Sequence, residues 1–156
     1  MYNLNELAKG GTFCLAKAGL KAGSTTTQIA IAAPNGAGVD YCIGGYNYHK
    51  ADAATVAYGS APIQPVLTTC LYLICLDSAG TISCVKGEAV LNADLAAGTK
   101  VLQWPVPSAA VCPIGGFKVV LTGAATFTAG TSDFATAGVT DTWFDLFSVP
   151  TAPLTA

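Results

Sequence analysis

The chain has 156 residues, of which 52% are hydrophobic and only 10% are charged, and its formal net charge at neutral pH is −2. A chain of this length fits one domain that can bury about two-thirds of its unfolded surface, so hydrophobic burial alone can fold it. The high apolar content excludes intrinsic disorder, and the longest apolar run, residues 70–76, is far shorter than the ~20 residues that cross a bilayer.

The charged residues exclude one further class of partner. All seven basic residues are lysines, and the sequence pI is about 5.0. Arginine supplies the planar fork that reads phosphates and base edges, so a chain without arginine or a basic stripe is not expected to bind nucleic acid. Charge also keeps proteins apart in solution, so its scarcity predicts a surface that is partly buried against other subunits.

The six cysteines are expected to be reduced and buried. The N-terminal residues lack the basic start and apolar centre of a secretion signal, which predicts folding in the cytoplasm, where thiols stay reduced. No C-x-x-C pair occurs, so neither a zinc site nor a redox motif is predicted. The cysteines are Cys14, Cys42, Cys70, Cys75, Cys84 and Cys112.

Residues 1–23 are interpreted as an extended N-terminal arm. Leu4 and Leu7 fall on one side of a possible short helix, and the four glycines that follow interrupt any regular pattern. We expect Leu4 and Leu7 to contact a partner. The alternative is an arm folded back as an edge strand over residues 12–15.

Residues 24–156 are interpreted as a single β domain. Residues 24–33 and 39–43 have the composition of strands, with a turn between them, and residues 51–58 could form a helical turn. Later strands are expected at the positions 114–121, 126–128 and 142–147. Short strands separated by turn signals predict an all-β sandwich or barrel.

The clearest element is a hairpin over residues 68–85. Asp77 and Gly80 suit a type I turn closed by a glycine in the left-handed region. That turn would place Ile74 opposite Cys84 and put Cys75 and Cys84 on opposite faces, so the two cannot form a disulfide. The first strand of the hairpin is apolar on both faces, and we expect the core to cover one and a neighbouring subunit the other.

The residues with catalytic chemistry have simpler structural interpretations. His49 could serve a nucleophilic cysteine, but a surface histidine is favoured. Asp141 and Asp145 could form an acid–base pair, but their spacing favours polar positions on one solvent-facing side of a strand. No catalytic residue, cofactor or metal ligand is therefore predicted.

A tyrosine-rich segment is the other candidate binding surface. Tyr41, Tyr46 and Tyr48, with Tyr58 beyond them, could form a platform for a partner or a glycan. Half-buried positions in a sheet are the favoured alternative for these residues, because tyrosine is common in strands.

Three stretches resemble structural proteins of the tailed-bacteriophage virion, of the head decoration and head-fibre type. Residues 39–51 show the strand, glycine and Lys-Ala step of that family, residues 72–87 contain the hairpin with its L-D-S-A-G-T turn, and residues 105–133 carry the P-I-G-G-F-K-V and F-T-A-G-T-S-D motifs. The resemblance spans most of residues 24–150. The six cysteines are more than is usual in that group.

The resemblance implies a non-enzymatic capsid decoration protein that is assembled into the virion in the host cytoplasm. It implies the major capsid protein as partner and a homotrimer as oligomer, because decoration proteins often sit at three-fold positions. The alternative is a carbohydrate- or receptor-binding module of a virion fibre or tail. A small hydrolase using His49, or Asp141 with Asp145, is a third hypothesis of a different class.

Overall fold

The computed structural model describes residues 11–146, and this part of the chain folds into three antiparallel sheets packed together. The predicted all-β, sandwich-like fold is thereby confirmed. The strands are β1 (Phe13–Cys14), β2 (Leu20–Ala22), β3 (Ile29–Ile31), β4 (Val39–Ile43), β5 (Tyr46–Lys50), β6 (Ala53–Val56), β7 (Thr68–Leu76), β8 (Ile82–Lys86), β9 (Val90–Leu91), β10 (Cys112–Leu121) and β11 (Val139–Asp145). A short helix, α1 (Asn92–Ala96), connects β9 to the segment that leads into β10.

The largest sheet is built around the pairing of β7 with β10. Its strand order is β11-β10-β7-β8, and β9 pairs with the first residues of β7. All nine residues of β7 are buried, as the apolar composition of both of its faces requires. The register shifts between Pro113 and Gly115, because proline cannot donate a ladder hydrogen bond and the strand accommodates it in a bulge.

The hairpin between β7 and β8 has the predicted register. Ile74 pairs with Cys84 and Cys75 with Ser83, so Cys75 and Cys84 point to opposite faces. Gly80 adopts a φ of 76°, and its amide donates to the Asp77 carbonyl at 3.1 Å. The Asp77 carboxylate accepts the amides of Ala79 and Thr81, each at 2.8 Å, which fixes the turn.

The two smaller sheets share one hydrophobic core with the large sheet. One has the order β1-β4-β5 and the other β2-β3-β6. β2 is tied to β11 by a hydrogen bond from the Leu20 amide to an Asp145 carboxylate oxygen at 3.0 Å. The buried apolar side chains of both small sheets therefore belong to the core that they share with the large sheet.

The expected boundary of the N-terminal arm needs correction. Within residues 11–23, Cys14, Ala18 and Leu20 are buried in the core, and β1 and β2 pair with β4 and β3. The glycines do not exclude strands here, because Gly19 lies at a connection with a φ of 59°, between the strands. The alternative of an arm folded back as an edge strand describes this part of the chain. Residues 1–10, including Leu4 and Leu7, lie outside the described residues.

Three other expected elements differ from those found. Residues 53–56 form strand β6 instead of a helical turn, because β3 offers its free edge there. The strand expected over residues 24–33 is limited to β3, since residues 24–28 make a tight turn in which the Gly23 amide donates to the Gln28 carbonyl at 2.8 Å. Residues 126–128 contribute only an isolated bridge between Gln64 and Phe127.

An aromatic cluster fills the space between the sheets. Phe117 on β10 is fully buried, with its ring centroid 4.9 Å from those of both Tyr72 and Trp143. Phe127 and Phe134 complete the cluster from the loop that precedes β11. Offset and edge-to-face aromatic pairs add to the energy of simple burial, so this cluster is a main source of stability.

The second face of β7 is covered in part by the chain itself. Trp104, in the irregular segment between α1 and β10, lies so close to Gly116 that a Cβ there would come within 2.5 Å of the indole. The Gln103 carbonyl approaches Gly87 in the same way. The chain itself therefore covers part of the face on which a neighbouring subunit was expected.

The aromatic cluster gives a first testable prediction. Phe117→Ala should lower the free energy of unfolding by about 3–5 kcal/mol, because it opens a cavity at the centre of the cluster. Phe13→Ala, at a side chain that is 39% exposed, is the matched control and should cost under about 1 kcal/mol. Urea unfolding of the two variants measures both values. Equal losses would contradict the central position assigned to Phe117.

Candidate interaction surface

The candidate tyrosines do not form one binding platform. Tyr41 is 1% exposed, and its hydroxyl donates to the Asp77 carbonyl at 2.8 Å, so it cannot contact a partner as expected. Tyr48 is half-buried and stacks on Tyr41, with ring centroids 5.6 Å apart. Tyr58 is fully buried beside Phe117. Tyr46 alone of the four is widely exposed, at 73%. The burial of Tyr41 follows from its place opposite the β7–β8 turn, which composition could not reveal.

His49 is a surface residue paired with a carboxylate. It lies opposite Asp40 across β4 and β5, and its Nδ1 is 2.7 Å from an Asp40 carboxylate oxygen. Both side chains are about half exposed, so the ion pair contributes little to stability. The structure brings His49 to a carboxylate rather than to a cysteine.

Asp141 and Asp145 serve the fold through hydrogen bonds. They lie on one side of β11, as predicted, but Trp143 shares that side and packs into the core, so the expected solvent-facing side is wrong. The Trp143 indole donates to Asp141, and the Leu20 amide donates to Asp145. One carboxylate thus orients a core side chain, and the other attaches β2.

The six cysteines are free thiols, and five of them are buried. Burial raises the pKa of the Cys70 thiol to about 11 and the pKa values of Cys75, Cys84 and Cys112 to about 12. These thiols are neutral at physiological pH and therefore poor nucleophiles. Within residues 11–146, no group of three or more His, Cys, Asp or Glu side chains is placed to hold a metal ion.

Four exposed aliphatic side chains occur in the loop before β7 and on β9, where no binding residue was predicted. They are Ile63, Val66, Leu67 and Leu91, which are 58%, 40%, 51% and 51% exposed. We call these four residues the apolar patch. Leu67 and Leu91 flank the same backbone pairing: Thr68 pairs with Leu91, and the Asn92 amide donates to the Leu67 carbonyl at 2.9 Å.

The loop of the apolar patch is held by a buried polar side chain. Gln64 is fully buried between Ile63 and Pro65, and its amide nitrogen donates to the carbonyls of Thr68 and Val119 at 3.0 and 3.1 Å. Its side-chain oxygen accepts the Tyr72 hydroxyl at 3.0 Å. A buried side-chain amide whose nitrogen and oxygen both make hydrogen bonds fixes the backbone around it. The exposed aliphatic side chains of this loop are therefore attached to a rigid backbone.

The same loop contains a strained residue. Leu67 has a φ of 57°, the only positive φ of a non-glycine residue in the described part of the chain. The left-handed conformation costs a residue with a Cβ about 1–2 kcal/mol. Such strain persists where the surroundings impose it, and it concentrates at functional sites. Here the Asn92 hydrogen bond and the Gln64 side chain impose it from two sides.

One sequence signal could have indicated this loop. Two prolines flank Ile63-Gln64 and stand just before the fully buried β7, in P-I-Q-P-V-L. Proline stiffens a connection, and three large aliphatic residues in a stiff connection indicate a fixed apolar surface. Taken alone, however, their hydrophobicity is equally typical of core residues.

Comparisons with known proteins do not identify a relative. The protein-family models, the curated proteins and the solved structures that were searched contain no match to this chain. Among residues 11–146, no helix is long and apolar enough to cross a membrane. The site is therefore interpreted from its own geometry.

The thiols give a prediction about pH. Their folded-state pKa values lie above the ordinary value of 9.0, so the fold favours the neutral thiol. The stability that this preference contributes is complete below about pH 9, the pKa of the unfolded thiol, and is lost as the pH rises through the folded values. Urea unfolding should therefore show a decreasing free energy of unfolding between pH 9 and 11.

A variant that lacks one buried thiol separates this effect from alkaline denaturation in general. Replacing the buried Cys75 by alanine or valine should reduce the slope of stability against pH. At pH 8 the native protein should react slowly with Ellman's reagent, and the unfolded chain should react at all six cysteines. Rapid reaction of all six in the native state would contradict the assigned burial.

Proposed function

We propose that this protein is a non-enzymatic structural protein of a tailed-phage virion, a capsid decoration protein that acts as a homotrimer. The observation that carries the proposal is the apolar patch, a set of exposed aliphatic side chains on a strained but rigid loop. A fixed surface of this kind loses little conformational entropy on association, which favours docking to another protein surface.

The composition supports an assembly role. Few charged residues are available to oppose contact between copies, and aliphatic side chains such as Leu67 each contribute roughly 1.5–3 kcal/mol when they are fully buried. Cyclic closure hides a self-complementary surface without forming fibres. A trimer closed through the apolar patch is the form that we propose.

The geometry of the polar residues supports a role without catalysis. His49 is engaged by Asp40 at the surface, and Asp141 and Asp145 each hold a structural hydrogen bond. Asp141 and Asp145 are committed to these contacts, and within residues 11–146 the His49 ring hydrogen-bonds to Asp40 and to no cysteine thiol. These contacts favour a structural role over the small hydrolase.

The trimer is tested with Leu67→Asn. Asparagine tolerates the left-handed conformation, so the variant should melt at or slightly above the wild-type temperature while losing a central apolar contact. Native mass spectrometry at micromolar concentration should show a trimer for the wild type and mainly monomer for the variant.

Val106→Asn is the matched control for this experiment. Val106 is 88% exposed and lies outside the apolar patch, so its replacement should leave the trimer intact. A wild-type protein that is monomeric, or a Leu67→Asn variant that remains trimeric, would overturn the proposed interface.

Attachment to the capsid is tested separately. We propose that Leu4 and Leu7 contact the major capsid protein, and since residues 11–23 belong to the sheets, the deletion must stop at residue 10. A chain lacking residues 1–10 should keep the melting temperature and the trimer but bind more weakly to virions without their native copy. Undiminished binding in a co-sedimentation assay would place the attachment elsewhere.

A carbohydrate- or receptor-binding module remains the second candidate. It is favoured by one observation, the 73% exposure of Tyr46 at the turn between β4 and β5. A glycan array distinguishes the two proposals, because specific binding that is lost in Tyr46→Ala would favour the module. Stoichiometric presence of the protein in purified particles would favour a virion protein of either kind.

A further inference from the structure

A groove of about 630 Å³ lies on the outer face of the large sheet, away from the aromatic cluster. Its floor is formed by Leu71 on β7 and Lys118 on β10, and its walls include Leu102, Trp104 and Phe144. This volume is in the range of small-molecule sites, which are mostly apolar with a few polar groups that orient the ligand.

The aromatic wall is held in a fixed position. The Trp104 ring rests on Gly116, where any Cβ would clash with the indole and with the Tyr72 carbonyl, and it packs edge-on against Phe144 at a centroid distance of 5.6 Å. Gly116 therefore creates the space that the indole occupies. Because the wall is already ordered, a ligand does not lose binding energy by immobilising these side chains.

Lys118 gives the groove its charge. It pairs with Leu71 on one side and Thr142 on the other, in the middle of the sheet, and it is half-buried. The ion pairs of residues 11–146 join His49 to Asp40 and Lys100 to Glu88, and neither involves Lys118. A central lysine flanked by apolar side chains thus has no carboxylate of the described chain to neutralise it.

Lys100 adds a second positive charge at the rim of the groove. It lines the same groove, and its ammonium lies 3.6 Å from a Glu88 carboxylate oxygen. Since both of these side chains are more than half exposed, the pair is weak and leaves Lys100 able to contribute to a nearby anion. Two lysines therefore line the groove, and none of its lining residues is acidic.

From this arrangement we infer that the groove binds a small amphipathic carboxylate. The apolar or aromatic body of the ligand lies against Leu71, Trp104 and Phe144, and its carboxylate accepts a hydrogen bond from the Lys118 ammonium. The charge complementarity selects an anion, and the size and the largely apolar lining select a compact apolar body. None of the residues that line the groove belongs to the apolar patch.

The test uses 4-phenylbutyrate and its neutral amide, 4-phenylbutanamide, as matched probes. Titration of the full-length protein, followed by two-dimensional NMR, should show saturable shifts of the Trp104 indole N–H and of the Lys118 amide with the carboxylate. The amide should bind about tenfold more weakly, because it cannot form the charge-assisted hydrogen bond.

Lys118→Met and Lys17→Met are the paired variants. Methionine keeps an apolar stem over the sheet, so the fold is retained, but the preference for the carboxylate over the amide should disappear. Lys17 is an exposed lysine that does not line the groove, and its variant should bind as the wild type does. Equal binding of the two probes by the wild type, unchanged selectivity in Lys118→Met, or the absence of saturable shifts at Trp104 would each overturn the inference.

Discussion

The pairing of β7 with β10 carries the other parts of this domain, because each face of the pair buries a different layer. On one face, Tyr72 and Phe117 stack in register and form the centre of the aromatic cluster that the two small sheets cover. On the other face, Gly116 admits Trp104 against the sheet and so shapes the groove. Leu67 of the apolar patch directly precedes Thr68, the first residue of β7. A change in the register of this one pair would therefore disturb the core, the groove and the patch together.

The irregular connections are held by a few polar side chains that bond to backbone groups. Gln64 fixes the loop before β7, and Asn92 links α1 to the sheet by donating to the Leu121 carbonyl at 2.8 Å. Asp52 accepts the Ala33 amide at 2.8 Å, and Asp145 accepts that of Leu20. Buried backbone groups must be paired, and where no ladder exists these side chains supply the partner. These four side chains are thus committed to the fold.

The sequence predicted the features that depend on local patterns. The hairpin register followed from Asp77 and Gly80, and the buried β7 followed from its continuous apolar run, because both are set by neighbouring residues. Contacts between distant segments could not be predicted in this way. Leu20 joins the core through Asp145, Tyr41 is buried by the turn at Asp77, and Gln64 is satisfied by strands that lie next to it only in the folded chain. For that reason the arm boundary was placed too late, Tyr41 was named as a partner contact although it is buried, and the apolar patch was not predicted.

The two surfaces differ in the chemistry that they offer. The apolar patch is aliphatic and uncharged, and its Leu67 is half exposed in a left-handed conformation that glycine or asparagine adopts at lower cost. The interface proposed above would give this side chain a contact outside the domain. The groove offers a half-buried lysine and an aromatic wall in place of an aliphatic surface. The two proposed partners therefore differ in chemistry: an aliphatic protein surface suits the apolar patch, whereas an anion with an apolar body suits the groove.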